Sequence, residues 1–313
     1  MKRATRSLVA LVAALTLVAA CGDDEDSSSG SATEDTASAE PAADAFPATV
    51  GDVTVEAAPE RIVSLSPSAT ESLFAIGAGD QVEAVDQQSD YPEGVPTTEL
   101  DALEPNVEAL LAYDPDLVVI DGPNDEVETP LADLGVPVLV QPAAETFDDV
   151  YQQVRDLGTI TGHAEEADEV ATEIQTNIEE LSASAPQPDE PLTYYHELDD
   201  TFYTATSSTF IGRVYEAAGL QNIADEADDG SGYPQLSAEY IIDADPDLIF
   251  LADTECCGQS PETVAERPGW GDLTAVQDGA VVALEDDIVS RWGPRVDDFL
   301  QTVVEAVEEV AAA

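Results

Sequence analysis

Apolar positions along this chain follow two alternating periods. Short apolar runs at RIVSL (61–65), VEAVD (82–86), LVVI (117–120) and VPVLVQ (136–141) read as buried strands. Between them apolar residues recur at helical spacing: after Ser66-Pro67-Ser68 to Ile76, over 106–112, near 125–134 and over 146–157. Ser68 or Thr70 is the expected cap of the first helix, with Glu71 in its first turn and Gly77 and Gly79 at its end. VTVEA (53–57) reads as a short edge strand, and 89–104 as a Pro-punctuated loop. The longest helical pattern covers 163–182, with Ala167, Val170, Ala171, Ile174, Ile178 and Leu181 on one face. After a Pro-rich break at 186–191 the alternation restarts. It gives strands at 192–197, 247–252 and 280–285, and helices at 209–218, 238–244, 261–266 and from 295 onward. Strand–helix alternation of this kind predicts mainly parallel sheets covered by helices. The class is α/β, with two similar lobes at 52–160 and 186–313 joined by a single long helix at 161–185.

One phrase occurs in both lobes. Residues 106–121 read NVEALLAYDPDLVVID and residues 237–253 read SAEYIIDADPDLIFLAD. Each has a capping residue (Asn106, Ser237) two positions before a glutamate (Glu108, Glu239), then Pro115 or Pro246, then a strand. Two carboxylates at the same point of two similar lobes suit docking on a two-fold partner.

The first 51 residues do not share this periodicity. Lys2, Arg3 and Arg6 precede a small, apolar stretch from Leu8 to Ala20, too short to span a bilayer comfortably and suited to a signal peptide (1–20). It ends in Leu-Val-Ala-Ala-Cys, which resembles the bacterial lipoprotein cleavage box. The resemblance implies that Cys21 carries a lipid and anchors the exported chain to the outer face of the cell membrane. Residues 21–51 are rich in Ser, Ala, Asp and Glu and are expected to form a disordered, acidic tether.

Charge narrows the function classes. All 67 acidic residues follow Cys21, with only six of the nine basic ones, and no lysine occurs after Lys2. Phosphate backbones need Lys and Arg, so nucleic acid is excluded as a partner, as is docking on anionic lipid by surface charge. The two remaining cysteines are the adjacent pair Cys256-Cys257. In an oxidising compartment they form either a strained vicinal disulfide or two free thiols.

The segments RIVSLSPSATESLFAIGAGDQVEAVDQQSDYP (61–92), PNVEALLAYDPDLVV (105–119) and GPRVDDFLQTVVEAV (293–307) resemble the bacterial solute-binding proteins of importers for cobalamin, haem and ferric siderophores. The similarity runs from about residue 60 to 310. It implies two α/β lobes joined by one helix, a ligand cleft between them, and no enzymatic activity or resident cofactor. It implies docking of Glu108 and Glu239 on arginine pockets of a membrane permease dimer served by a separate ATPase. The chain is then expected to work as a monomer carrying cobalamin or a ferric chelate as its transported ligand.

Open α/β sheets bind ligands beyond the C-terminal ends of their strands. Candidates there are Ser66, Ser68, Tyr91 and Asp121 in the first lobe. In the second they are Glu197, Asp199, Phe202, Tyr203, Tyr233, Arg291, Trp292 and Arg295. Either arginine faces a ligand or pairs with neighbouring aspartates such as Asp286, Asp287 or Asp297. Aromatic walls suit a large flat ligand, and the acidic cluster Glu197, Asp199, Asp200 leans toward a neutral or cationic one. Rival readings are a receptor for haem or a ferric siderophore, a bare-metal receptor using His196 and the cysteine pair, and a hydrolase built around His196. The chain has no nucleophile elbow, H-E-x-x-H, phosphate loop or C-x-x-C.

Overall fold

The structure, a computed structural model, describes residues 45–312. The expected signal peptide, Cys21 and most of the expected tether lie outside the described residues. The end of that tether is folded. Strand β1 (Ala48–Val50) pairs antiparallel with β2 (Val53–Val55), and buried Ala48 and Val55 pack the hairpin against the first lobe. Gly51 supplies the left-handed turn residue at φ 55°. The expected edge strand therefore stops at Val55, and its partner precedes it.

Two four-stranded parallel sheets follow. The first comprises β3 (Ile62–Leu65), β4 (Val82–Val85), β5 (Leu117–Ile120) and β6 (Val138–Val140), in the spatial order β4-β3-β5-β6. The second comprises β7 (Thr193–Glu197), β8 (Gln221–Asn222), β9 (Leu248–Leu251) and β10 (Val281–Ala283), in the order β8-β7-β9-β10. The two topologies are the same. Every residue of β3, β5 and β9 is buried, as expected of parallel strands covered on both faces.

Helices α1 (Pro67–Ala75), α2 (Val107–Leu111), α3 (Asp125–Asp133) and α4 (Phe147–Thr161) belong to the first lobe. Helix α5 (Ala164–Ser184) follows α4 in the chain and packs along it and along α11 (Val296–Ala311). Its buried stripe is Ala167, Ala171, Ile174 and Ile178, with Val170 and Leu181 at the margin. The second lobe adds α6 (Phe210–Ala217), α7 (Ala238–Ala244), α8 (Pro261–Ala265), α9 (Thr274–Gln277) and α10 (Asp286–Ser290). Aromatic side chains fill its core: Tyr194 stacks on Tyr215 with centroids 4.0 Å apart, and Trp270 is 1% exposed.

The repeated phrase does the same structural work twice. Asn106 and Ser237 cap α2 and α7, accepting from the amides of Ala109 and Tyr240. The aspartate that ends each Asp-Pro-Asp then ties down the start of the neighbouring central strand. Asp116 accepts from the amides of Glu60 (2.9 Å) and Arg61 (3.0 Å), just before β3. Asp247 accepts from the amide of Thr193 (2.7 Å) and its hydroxyl (2.8 Å), at the start of β7. Strand-end amides that would lack a partner are satisfied in both lobes by one device.

Helices α4 and α5 meet at Gly158. A Cβ there would stand 2.2 Å from the Ala167 Cβ and 2.7 Å from the His163 carbonyl oxygen. Gly158→Ala is expected to force the two helices apart and cost about 1–3 kcal/mol, as overpacking does. Thermal unfolding followed by circular dichroism measures the loss.

Candidate functional site

The two lobes share an apolar contact, Phe147 against Phe210 with ring centroids 5.7 Å apart, and a polar seam. Ser66 caps α1, its hydroxyl accepting from the Ala69 amide at 3.3 Å, so neither Ser68 nor Thr70 is the cap. Starting one residue after Ser66 puts Ser68 and Glu71, three apart, on the same face of α1. That face meets the segment 291–295 of the other lobe. The Trp292 amide donates to the Ser68 hydroxyl at 3.2 Å. Glu71, only 2% exposed, accepts from two arginines: Arg291 Nη1 at 2.9 Å, and Arg295 Nε and Nη2 at 2.9 and 2.5 Å. The Arg295 pair is bidentate, the directional form of this contact. Breaking such a buried pair from one side costs about 3–5 kcal/mol.

Arg291 makes further contacts on both lobes. Its Nη2 reaches the Gln88 carbonyl oxygen (2.9 Å), Asp90 (2.9 Å) and Asp287 (2.7 Å). A buried hydroxyl network sets the first-lobe loop that meets it. Thr70 contacts the Ser64 and Ser89 hydroxyls, and Asp86 accepts from Ser89 Oγ (2.7 Å) and the Gln88 amide (2.8 Å). Of the two roles the sequence left open for these arginines, local pairing with Asp287 holds for Arg291. Both arginines also pair across the seam, Arg291 with Glu71 and Asp90 and Arg295 with Glu71.

A cavity of about 460 Å³ opens beside the seam. Ser66, Ser68 and Asp121 line it from the first lobe, and Glu255, Arg291 and Trp292 from the second; Asp90 and Asp287 also contribute. The sequence thus brought five candidates together: Ser66, Ser68, Asp121, Arg291 and Trp292. Partial desolvation raises the Asp121 carboxyl above its usual range; its own backbone hydrogen bond opposes the shift and Asp86 adds to it. Tyr91, Tyr203 and Tyr233 are outside this lining, and each is exposed, at 44%, 42% and 48%. The Arg295 guanidinium lies 3.9 Å from the Tyr91 ring centroid, so Tyr91 is held from behind.

Other candidates leave the site. Glu197 is fully buried and bonded by both Nη atoms of Arg267, at 2.7 and 2.5 Å. Phe202 stacks on buried Trp270 at 5.7 Å. Asp199 binds its own turn through Thr201. His196 is in the core, its Nδ1 2.8 Å from the Tyr215 hydroxyl, and desolvation depresses it to about 3. A metal site or a catalytic base at His196 has no access to the cleft. Cys256 and Cys257 are exposed and carry free thiols. The hydrogen bond to Cys257 is the main cause that pushes the Cys256 thiol up to about 12.

Beside Glu197 lies a carboxyl that the sequence reading passed over. Asp253 is fully buried, and neither of its oxygens has a hydrogen-bond partner. Burial, then the neighbouring Glu197, raises it to about 7 against the pull of Arg267. Asp253 therefore holds a proton in the folded protein well above the ordinary carboxylate range.

Glu108 and Glu239 are exposed in the first turns of α2 and α7, and among the described residues neither is in an ion pair.

Comparison with known proteins agrees with this architecture. The profile of the periplasmic binding protein family matches residues 62–288. An uncharacterised ABC transporter substrate-binding lipoprotein of Bacillus subtilis is 29% identical over 326 residues, covering 99% of this chain and 97% of its own. A cobalamin-binding protein of Halobacterium salinarum is 33% identical over 272 residues, covering 80% of this chain and 71% of its own. The solved structure of a periplasmic haem-binding protein from Roseiflexus superposes with a TM-score of 0.70 at 26% identity, covering 80% of this chain and 99% of that one.

The protonated Asp253 carries a pH signature. Between about pH 4, where an unfolded aspartate ionises, and its folded value of about 7, the folded state holds a proton that the unfolded chain has released. Its contribution is fully present below that window and is lost as pH rises through it. Asp253→Asn, a neutral isostere, should gain on wild type from pH 5 to pH 8. The gap in melting temperature is expected to widen by at least about 2–4 °C, the shift that ~1 kcal/mol gives a chain of this size. Melting curves across that range check it.

Proposed function

This chain belongs to the periplasmic binding protein family, and on that premise we propose that it is the lipid-anchored, extracytoplasmic receptor of an ABC importer for a corrinoid. The observation that carries the reading is the cleft. It lies between two lobes, is walled by strand-end loops from both, and has Trp292 at its edge. Its single arginine is already consumed by Glu71, Asp90 and Asp287. A ligand held by its carboxylates, as haem or an anionic ferric chelate would be, finds no free guanidinium there. A neutral, amide-rich corrinoid needs none. The relative that binds cobalamin supports the same choice.

In this reading Ser66, Ser68, Asp121, Arg291 and Trp292 contact the ligand at the cavity. Tyr91, Tyr203 and Tyr233 offer flat faces beyond it, apolar area at low entropic cost. The ligand is transported unchanged, and the chain supplies no chemistry. Glu108 and Glu239 dock on the permease, where exposed carboxylates without partners meet arginines most favourably. Cys21 carries the lipid anchor, in line with the lipoprotein relative. The seam at Glu71 limits binding to small adjustments of the lobes, so most of the cleft is preorganised.

Titration of the purified protein with cobalamin, haem, a ferric siderophore and free metal ions tests the reading through tryptophan fluorescence. Trp292 reports from the cleft while Trp270 is buried in the core. Cobalamin is expected to bind with a Kd in the micromolar range or below, as receptors with formed clefts do. Binding of an iron chelate alone would replace the ligand and keep the importer role; binding of bare metal alone would end both. The double change Glu108→Ala with Glu239→Ala is expected to leave that Kd within experimental error. It should lower cobalamin uptake by cells at least about tenfold, the loss of two charge-assisted contacts.

A further inference from the structure

Two carboxylates on the cleft wall have no cation of their own. Asp121 follows β5 and Glu255 lies in the loop after β9, so they project from equivalent loops of the two lobes. Both are exposed, and among the described residues neither carboxylate is in an ion pair or accepts a side-chain hydrogen bond. The other carboxylates of the wall, Asp90 and Asp287, are spent on Arg291. The charge of Arg291 is in turn outweighed by the carboxylates it already pairs with, Glu71, Asp90 and Asp287. Arg295 is outside the lining, gripped by Glu71 and covered by Tyr91.

The cavity therefore presents four carboxylates and one guanidinium. Its two unpaired charges are both negative and stand on opposite lobes. A ligand group with N–H donors finds an acceptor on each side. A ligand carboxylate meets like charge from both sides, with nothing to offset it. Salt screens such repulsion with a decay length of about 8 Å at physiological ionic strength, so it acts most strongly at low salt.

We infer that Asp121 and Glu255 are the charge-selecting residues of the cleft, a matched pair that admits neutral or cationic, N–H-bearing ligands and rejects anionic ones. The inference rests on the corrinoid-import reading above and adds to it the residues that set selectivity. It also separates their role from that of Arg291, whose charge is fixed by the seam.

The test compares two probes of one shape. Cyanocobalamin carries neutral amide arms, and its monocarboxylic acids have one amide replaced by a carboxylate. Calorimetric titration of the full chain should show cyanocobalamin preferred by about tenfold at low salt, with the preference shrinking as salt rises. In the double variant Asp121→Asn with Glu255→Gln the ratio should fall to within about twofold, because neutral amides no longer repel the acid. Loops merely loosened by substitution would weaken both probes together and leave the ratio intact, which would overturn the inference. Equal wild-type affinity for the two probes would overturn it as well, while leaving the receptor reading in place. If wild type binds neither probe, the corrinoid reading falls and this inference falls with it.

Discussion

Glu71 is the carboxylate on which the shape of the cleft depends. It is buried on a helix of the first lobe and takes three hydrogen bonds from two arginines of the second. A charge so placed is stable only with its partners, and the partners are buried only because Glu71 is there. The seam is mutual, and everything near the mouth of the cleft is set against it. Arg291 draws in Asp90 and Asp287, and Arg295 backs Tyr91. Gly293 passes close enough to α1 that a Cβ would stand 3.4 Å from the Ser68 carbonyl oxygen.

The scarcity of cations gives this pairing its weight. The described residues contain six arginines and no lysine, and each arginine is in an ion pair. Three of them form exposed pairs, of the kind that contribute at most about 1 kcal/mol. The other three are committed to buried carboxylates, Arg267 to Glu197 and the seam pair to Glu71. Half of the described cations thus go to buried carboxylates, and the cleft is left with surplus acid.

Much of the fold was legible because its strands are short, wholly apolar and spaced by helices. LVVI and LIFL need no partner information to be read as buried parallel strands. The paired topology could be read from the repeat, since Asp116 and Asp247 perform one task twice. What escaped the sequence was decided by distance along the chain or by brevity. Glu71 looks like an ordinary first-turn acid until Arg291, 220 positions on, reaches it. Glu197 looked like a cleft residue because its partner Arg267 is 70 positions away. Three hydroxyls in five residues could each cap α1, and only the path of the chain selects Ser66. Strand β8 and helices α9 and α10 have two to five residues each, too few to show a period. Asp253 had no signal beyond its position after a strand, because orphaned burial is a property of the packed state.

The polarity of the repeated phrase has a geometric consequence. A helix that returns the chain to the start of a parallel strand runs opposite to that strand, so its first turn is at the edge where the strands end. Helices α2 and α7 precede β5 and β9 in this way. Glu108 and Glu239, in the first turns of these helices, are therefore on the strand-end side of their sheets, one in each lobe. On the import reading proposed above, a partner that grips both carboxylates meets the protein on the side where ligand-binding loops emerge, and the order in which helix and strand follow one another sets that side.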